Sequence, residues 1–120
     1  MGMGWKNCLT LLFWSLAPDV SAQQAAFSGS ELLRRCEESS SELQKLLCDL
    51  YIKGSVDQLL FEQRIMVDRA LPPQTICIPN AVTGAQITSI VKRHLNNHPE
   101  MLHHSAAWFV RYSLRDAFPC

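Results

Sequence analysis

Five cysteines and four histidines are the residues of this 120-residue sequence best suited to nucleophilic or metal chemistry. The histidines cluster as His94, His98, His103 and His104. His94 and His98 are four apart, a spacing that sets two imidazoles on one helix face, where they can share a metal. The rest of a metal site is missing from the pattern. No H-E-x-x-H occurs, no carboxylate stands at a general-base position, and His98 directly precedes the helix-breaking Pro99. His94 also shares an apolar stripe with Ile87, Ile90 and Val91, so it reads as a buried, hydrogen-bonded imidazole rather than a ligand. The expectation is no metal and no cofactor.

The cysteines invite a Cys/His nucleophilic reading, but the chain has an address that argues against it. Lys6 precedes an apolar run from Cys8 to Ala17, Pro18 breaks the run, and Val20-Ser21-Ala22 follows. That order is the charged region, hydrophobic region and small-residue cleavage site of a secretory signal. The run is about half of the ~20 residues that a membrane-spanning helix needs. Residues 1–22 are therefore expected to be removed, leaving 23–120 as the mature domain, periplasmic and free of the membrane. Loss of Cys8 leaves Cys36, Cys48, Cys77 and Cys120, and an even number in an exported chain reads as two disulfides. No two of them form the close C-x2-4-C pair typical of structural zinc. A thiol in a disulfide is no nucleophile. G-x-S-x-G, P-loop and dinucleotide motifs are also absent, so no enzyme is expected.

Charge points the same way. Eleven basic residues balance eleven acidic ones, and a neutral chain lacks the positive field of a sequence-independent nucleic-acid binder. Glu37, Glu38, Asp49 and Asp57 read as solvated faces and caps. Phe109 reads as core, whereas Trp108 and Tyr112 fit either a core or a partner-facing patch.

The elements that must carry these residues are helical. Ser30 is the expected cap of a first helix through Glu31–Cys36. Ser39 with Glu42 has the spacing of a capping box opening a second. Leu43, Leu46, Leu47, Leu50 and Tyr51 then recur at helical intervals as one apolar stripe. Val56, Leu59, Leu60, Gln63 and Val67 continue the spacing beyond Gly54, which either kinks one helix or separates two. Pro72-Pro73 ends the run. Thr83 and Gln86 form another capping-box spacing, ahead of Ile87, Ile90, Val91 and Leu95. Pro99 is placed to start the last helix, which carries Leu102, Ala106, Phe109, Val110 and Leu114. The fold class is all-α, a small bundle of four or five helices stapled by two disulfides. A continuous helix would separate Cys36 and Cys48 by ~18 Å, beyond disulfide reach, which favours Cys36–Cys120 and Cys48–Cys77. The serine break at 39–41 keeps a Cys36–Cys48 pair open.

The ordered motifs carry a resemblance. Phe27-Ser28-Gly29, Glu31-Leu32-Leu33 and Cys36 lead to Cys48-Asp49-Leu50-Tyr51-Ile52-Lys53-Gly54 with Asp57. Cys77-Ile78-Pro79, Val82-Thr83 with Gln86, His98-Pro99-Glu100, Ala106-Ala107 and Ala117-Phe118-Pro119-Cys120 follow. This run resembles the Rap1a/Tai family of immunity proteins along the whole mature chain. The resemblance implies a small helical periplasmic homodimer that neutralises a peptidoglycan amidase effector of type VI secretion. It does so by occluding the amidase's catalytic groove. The alternative is a small periplasmic helical chaperone or interaction protein without an amidase partner. The expected partner-binding element is the exposed polar turn of Asn96, Asn97, His98 and Glu100, held between two helices.

Overall fold

A computed structural model describes residues 27–69 and 75–120 of the chain. The sequence-predicted signal segment at 1–22 and the Pro72-Pro73 stop lie outside the described residues. The described part holds four α-helices and one short 3-10 turn, in the order α1 (Gly29–Cys36), α2 (Glu42–Asp68), α3 (Gly84–Asn97), the 3-10 turn Pro99–Met101 and α4 (Ala106–Ala117). The all-α expectation holds. Its only extended pairings among the described residues are two single bridges, Ser28 with Ser105 and Ile76 with Pro119.

Local chemistry explains each start. The Ser28 hydroxyl accepts from the Glu31 amide while the Glu31 carboxylate accepts from the Ser28 amide. This capping box puts the cap of α1 at Ser28, two residues before the expected cap at Ser30. Ser41, not Ser39, caps α2 by accepting from the Gln44 amide. Thr83 and Gln86 form the expected reciprocal box at α3. The last helix begins later than Pro99 suggests. Pro99 starts the 3-10 turn, and Ser105 caps α4. Gly54 breaks nothing, because α2 runs through it for 27 residues, about 40 Å of helix.

The core is formed where all four helices meet. Leu32 of α1, Ile52 of α2, Val91 and Leu95 of α3, and Phe109 and Leu114 of α4 have no appreciable solvent contact. Complete burial of such side chains is worth about 1.5–3 kcal/mol each.

The long helix corrects one expectation. Its buried face is Cys48, Ile52, Val56, Leu59 and Gln63. The leucine stripe points away from the core: Leu43 is 62% exposed, Leu46 52%, Leu47 39% and Leu50 54%. Both sets have helical spacing, and at 100° per residue their centres lie roughly 170° apart on the helix. The sequence reading took the leucines as one stripe continuing past Gly54, and did not separate from it the opposite face through Cys48 and Ile52 that the other helices cover.

The disulfide pairing is also corrected. Cys36 bonds to Cys48, with Cα atoms 5.2 Å apart, and Cys77 bonds to Cys120, at 5.0 Å. The Cys36–Cys120 and Cys48–Cys77 scheme assumed helix continuity. Instead α1 ends at Cys36, and residues 37–41 turn the chain so that α2 packs back on α1. Nearly two turns into α2, Cys48 faces Cys36. The second bond ties the last residue to the segment after α2. There the Cys77 amide donates to the Phe118 carbonyl, and the buried side-chain Oε1 of Gln63 accepts from the Ile76 amide.

Candidate functional site

The turn expected to bind a partner is assembled from the end of α3 and the 3-10 turn. Asn97 ends α3, His98 serves both as its C-cap and as the residue before Pro99, and Pro99 supplies the fixed φ that starts the tighter turn. Asn97 and Glu100 are exposed. Asn96 is exposed too, but its side-chain amide donates to the Lys92 carbonyl at 2.9 Å, closing the helix end. His98 is half-buried, with Nδ1 2.9 Å from the His94 carbonyl oxygen.

Backbone bonds hold this turn rigidly. The Met101 amide donates to His98, the His104 amide to Met101, and the Ser30 amide to Leu102. The Gly29 amide donates to His104, and the Ala106 amide returns to the Phe27 carbonyl. The segment leading into α1 therefore clamps the segment leading into α4, with the turn projecting beside the clamp.

Beneath the turn lies a cavity of about 300 Å³, lined by Arg93, His94, Asn97, His98, Ser113 and Asp116 among others. His94 is 9% exposed, and its Nε2 is buried without a hydrogen-bond partner. Burial pushes the His94 imidazole below its ordinary range; His98 and Arg93 act in the same direction, and Asp116 opposes them.

The four histidines do come together, but through aromatic side chains. His98 stacks on His94 with ring centroids 4.0 Å apart, and His94 meets Tyr112 at 5.0 Å. Tyr112 stacks on Trp108 at 4.8 Å, Trp108 on His104 at 4.4 Å, and His104 meets His103 at 4.3 Å. Arg115 lies over Tyr112, midway along the row, 5.1 Å from the ring centroid. Sequence reasoning missed this row. Its signal was present: 104, 108 and 112 repeat at four-residue intervals, so they form one column on a helix and its leading turn. Among the described residues, no three His, Cys, Asp or Glu side chains are grouped so as to hold a metal ion.

Two acidic residues also do more than coat a solvated face. Asp49 accepts from Thr88 at 2.9 Å and pairs with Lys53 at 2.6 Å, joining α2 to α3. The Lys53 hydrogen bond holds its carboxyl below the usual carboxylate range. Glu38 pairs with Lys92 at 2.8 Å, joining the turn after α1 to α3, with the same direction of shift and the same kind of cause.

All four described cysteines are paired in disulfides, so none offers a free thiol. No described helix is long and apolar enough to cross a membrane. No curated protein matches the chain. The family model of the Rap1a immunity proteins matches residues 28–120. That match takes in all four helices, both disulfides and the turn at 96–100, and this chain belongs to the Rap1a immunity protein family, whose members are inhibitors rather than enzymes.

Proposed function

We propose that this chain is a periplasmic immunity protein that binds a peptidoglycan amidase delivered by type VI secretion and occludes its catalytic groove. Family membership carries the reading, since an immunity protein implies an effector protein as its partner. The turn of Asn96, Asn97, His98 and Glu100 supports it as the blocking element. It projects polar groups from a clamped backbone, and such preorganisation limits the entropy lost on binding. The signal at 1–22 would deliver the protein to the periplasm, where mass spectrometry should find Gln23 as the first residue. Co-purification of the mature protein with amidases from the same genome tests the partner. Replacing both Asn97 and Glu100 with alanine should weaken that binding about tenfold or more, ~1.4 kcal/mol, without lowering the melting temperature. Unaltered affinity would move the blocking element elsewhere.

The functional form is a homodimer built on the exposed leucine face of α2. The pattern Leu43-x-x-Leu46-Leu47-x-x-Leu50 reads the same in either direction. Two antiparallel copies related by a two-fold axis between positions 46 and 47 would set Leu43 against Leu50 and Leu46 against Leu47. A two-fold interface requires such self-complementarity, and apolar patches of this kind are seldom left to solvent.

A further inference from the structure

The stacked pair His94 and His98 sits at the base of the turn assigned above to the effector, beside a cavity that Asp116 also lines. A carbonyl oxygen only accepts, so the Nδ1 of His98 that lies 2.9 Å from the His94 carbonyl carries the hydrogen. The Nε2 of His94 is enclosed with no hydrogen-bond partner, and its ring lies 4.0 Å from that of His98. A proton on the His94 ring in that enclosure would lack both hydration and a partner for its N–H.

The surrounding charges decide what His94 does when it is protonated. Arg93 and His98 on the α3 side disfavour its charge, Asp116 on α4 favours it, and Tyr112 on α4 packs against the ring. Asp116 lines the same cavity, which leaves the ring room to swing away from His98 and toward a carboxylate. The arrangement present stacks His94 on His98; a protonated His94 would instead pair with Asp116 across the cavity and abandon the stack.

We propose that the His94–His98 pair is a proton-operated latch on the effector-binding turn, closed at neutral pH and open in acid. It rests on the amidase reading for its consequence, which is weaker effector binding at acid pH, but not for its mechanism.

Amide hydrogen exchange of the mature protein tests the latch without any partner. The Met101 and His104 amides report on the turn, through their bonds to His98 and Met101. The Ala106 amide, bonded to Phe27, serves as the control for the clamp. After correction for intrinsic exchange, the turn amides should lose about tenfold of their protection between about pH 7.5 and pH 5, while Ala106 changes by less than about twofold. His98→Gln retains an N–H donor for the His94 carbonyl but removes the second imidazole, and should cut the loss to under about twofold. Asp116→Asn should move the opening to lower pH. Equal turn protection at both pH values, an unchanged response in His98→Gln, or a matching loss at Ala106 would each overturn the latch. Binding to a co-purifying amidase should weaken about tenfold over the same pH range; if the turn opens and affinity is constant, the regulatory claim fails. An open latch with no amidase bound at any pH would support the latch and refute the amidase reading.

Discussion

Gly29 lies against the ring of Phe109 so closely that a Cβ on the glycine would stand 2.5 Å from Phe109 Cε2 and 2.7 Å from Cδ2. Phe109 is fully buried and cannot move aside without disturbing the core. Gly29→Ala in a helix ordinarily gains about 1 kcal/mol from propensity. Here the overlap should reverse the sign, with a net loss of about 1–3 kcal/mol in urea unfolding. A stabilised variant would show that α1 can shift off α4.

Reading the loops closed by the disulfides gives a second expectation. The bonds span sequence separations of 12 and 43. Under the chain-entropy model their removal costs about 3 and about 4 kcal/mol respectively. Non-reducing peptide mapping should recover Cys36 with Cys48 and Cys77 with Cys120. The paired serine variants, Cys77→Ser with Cys120→Ser and Cys36→Ser with Cys48→Ser, should both remain folded, the former melting lower. Recovery of Cys36 with Cys120 would contradict the fold around α1.

The leucine face makes a prediction opposite in kind. Leu46→Asp with Leu47→Asp places charge at the centre of the exposed stripe. Light scattering coupled to size exclusion should show the mass fall from that of a dimer to that of a monomer. The helical circular dichroism should persist, since neither residue supports the core. Loss of the fold instead of the dimer would mean the stripe is buried within the protomer.

His94 sets a pH dependence whose sign can be worked out. Its pKa is lowered in the folded state from an ordinary 6.5. Between the two values the unfolded chain binds more protons than the folded one, so stability rises with pH. The contribution is complete above the unfolded value and declines as pH falls below about 6.5, with a slope of at most ~1.4 kcal/mol per pH unit. Melting temperatures measured over that range should fall toward acid in the parent protein and flatten in His94→Gln. Asp49 adds a loss at lower pH, because its carboxyl is held below the usual range and its bonds to Lys53 and Thr88 fail on protonation.

Much of this protein is determined by sequence alone. Capping residues, helical periods and the Pro99 turn are local signals, since a hydroxyl reaches an amide three residues on whatever the rest of the chain does. Thr83 with Gln86 was legible for that reason, and His94 was legible as buried because it shares the stripe of Val91. The exposed turn at 96–100 was visible too, as a polar stretch between two periodic segments. Three things were decided only by the tertiary structure. Two opposite apolar faces of α2 compete for one core, and only the positions of α1, α3 and α4 select Ile52 over Leu46. Cys36 and Cys48 can bond because residues 37–41 reverse the chain, a direction that no spacing rule specifies. The row from His98 through Tyr112 and Trp108 to His103 joins α3 to α4, and side chains on two helices become neighbours only after those helices have packed.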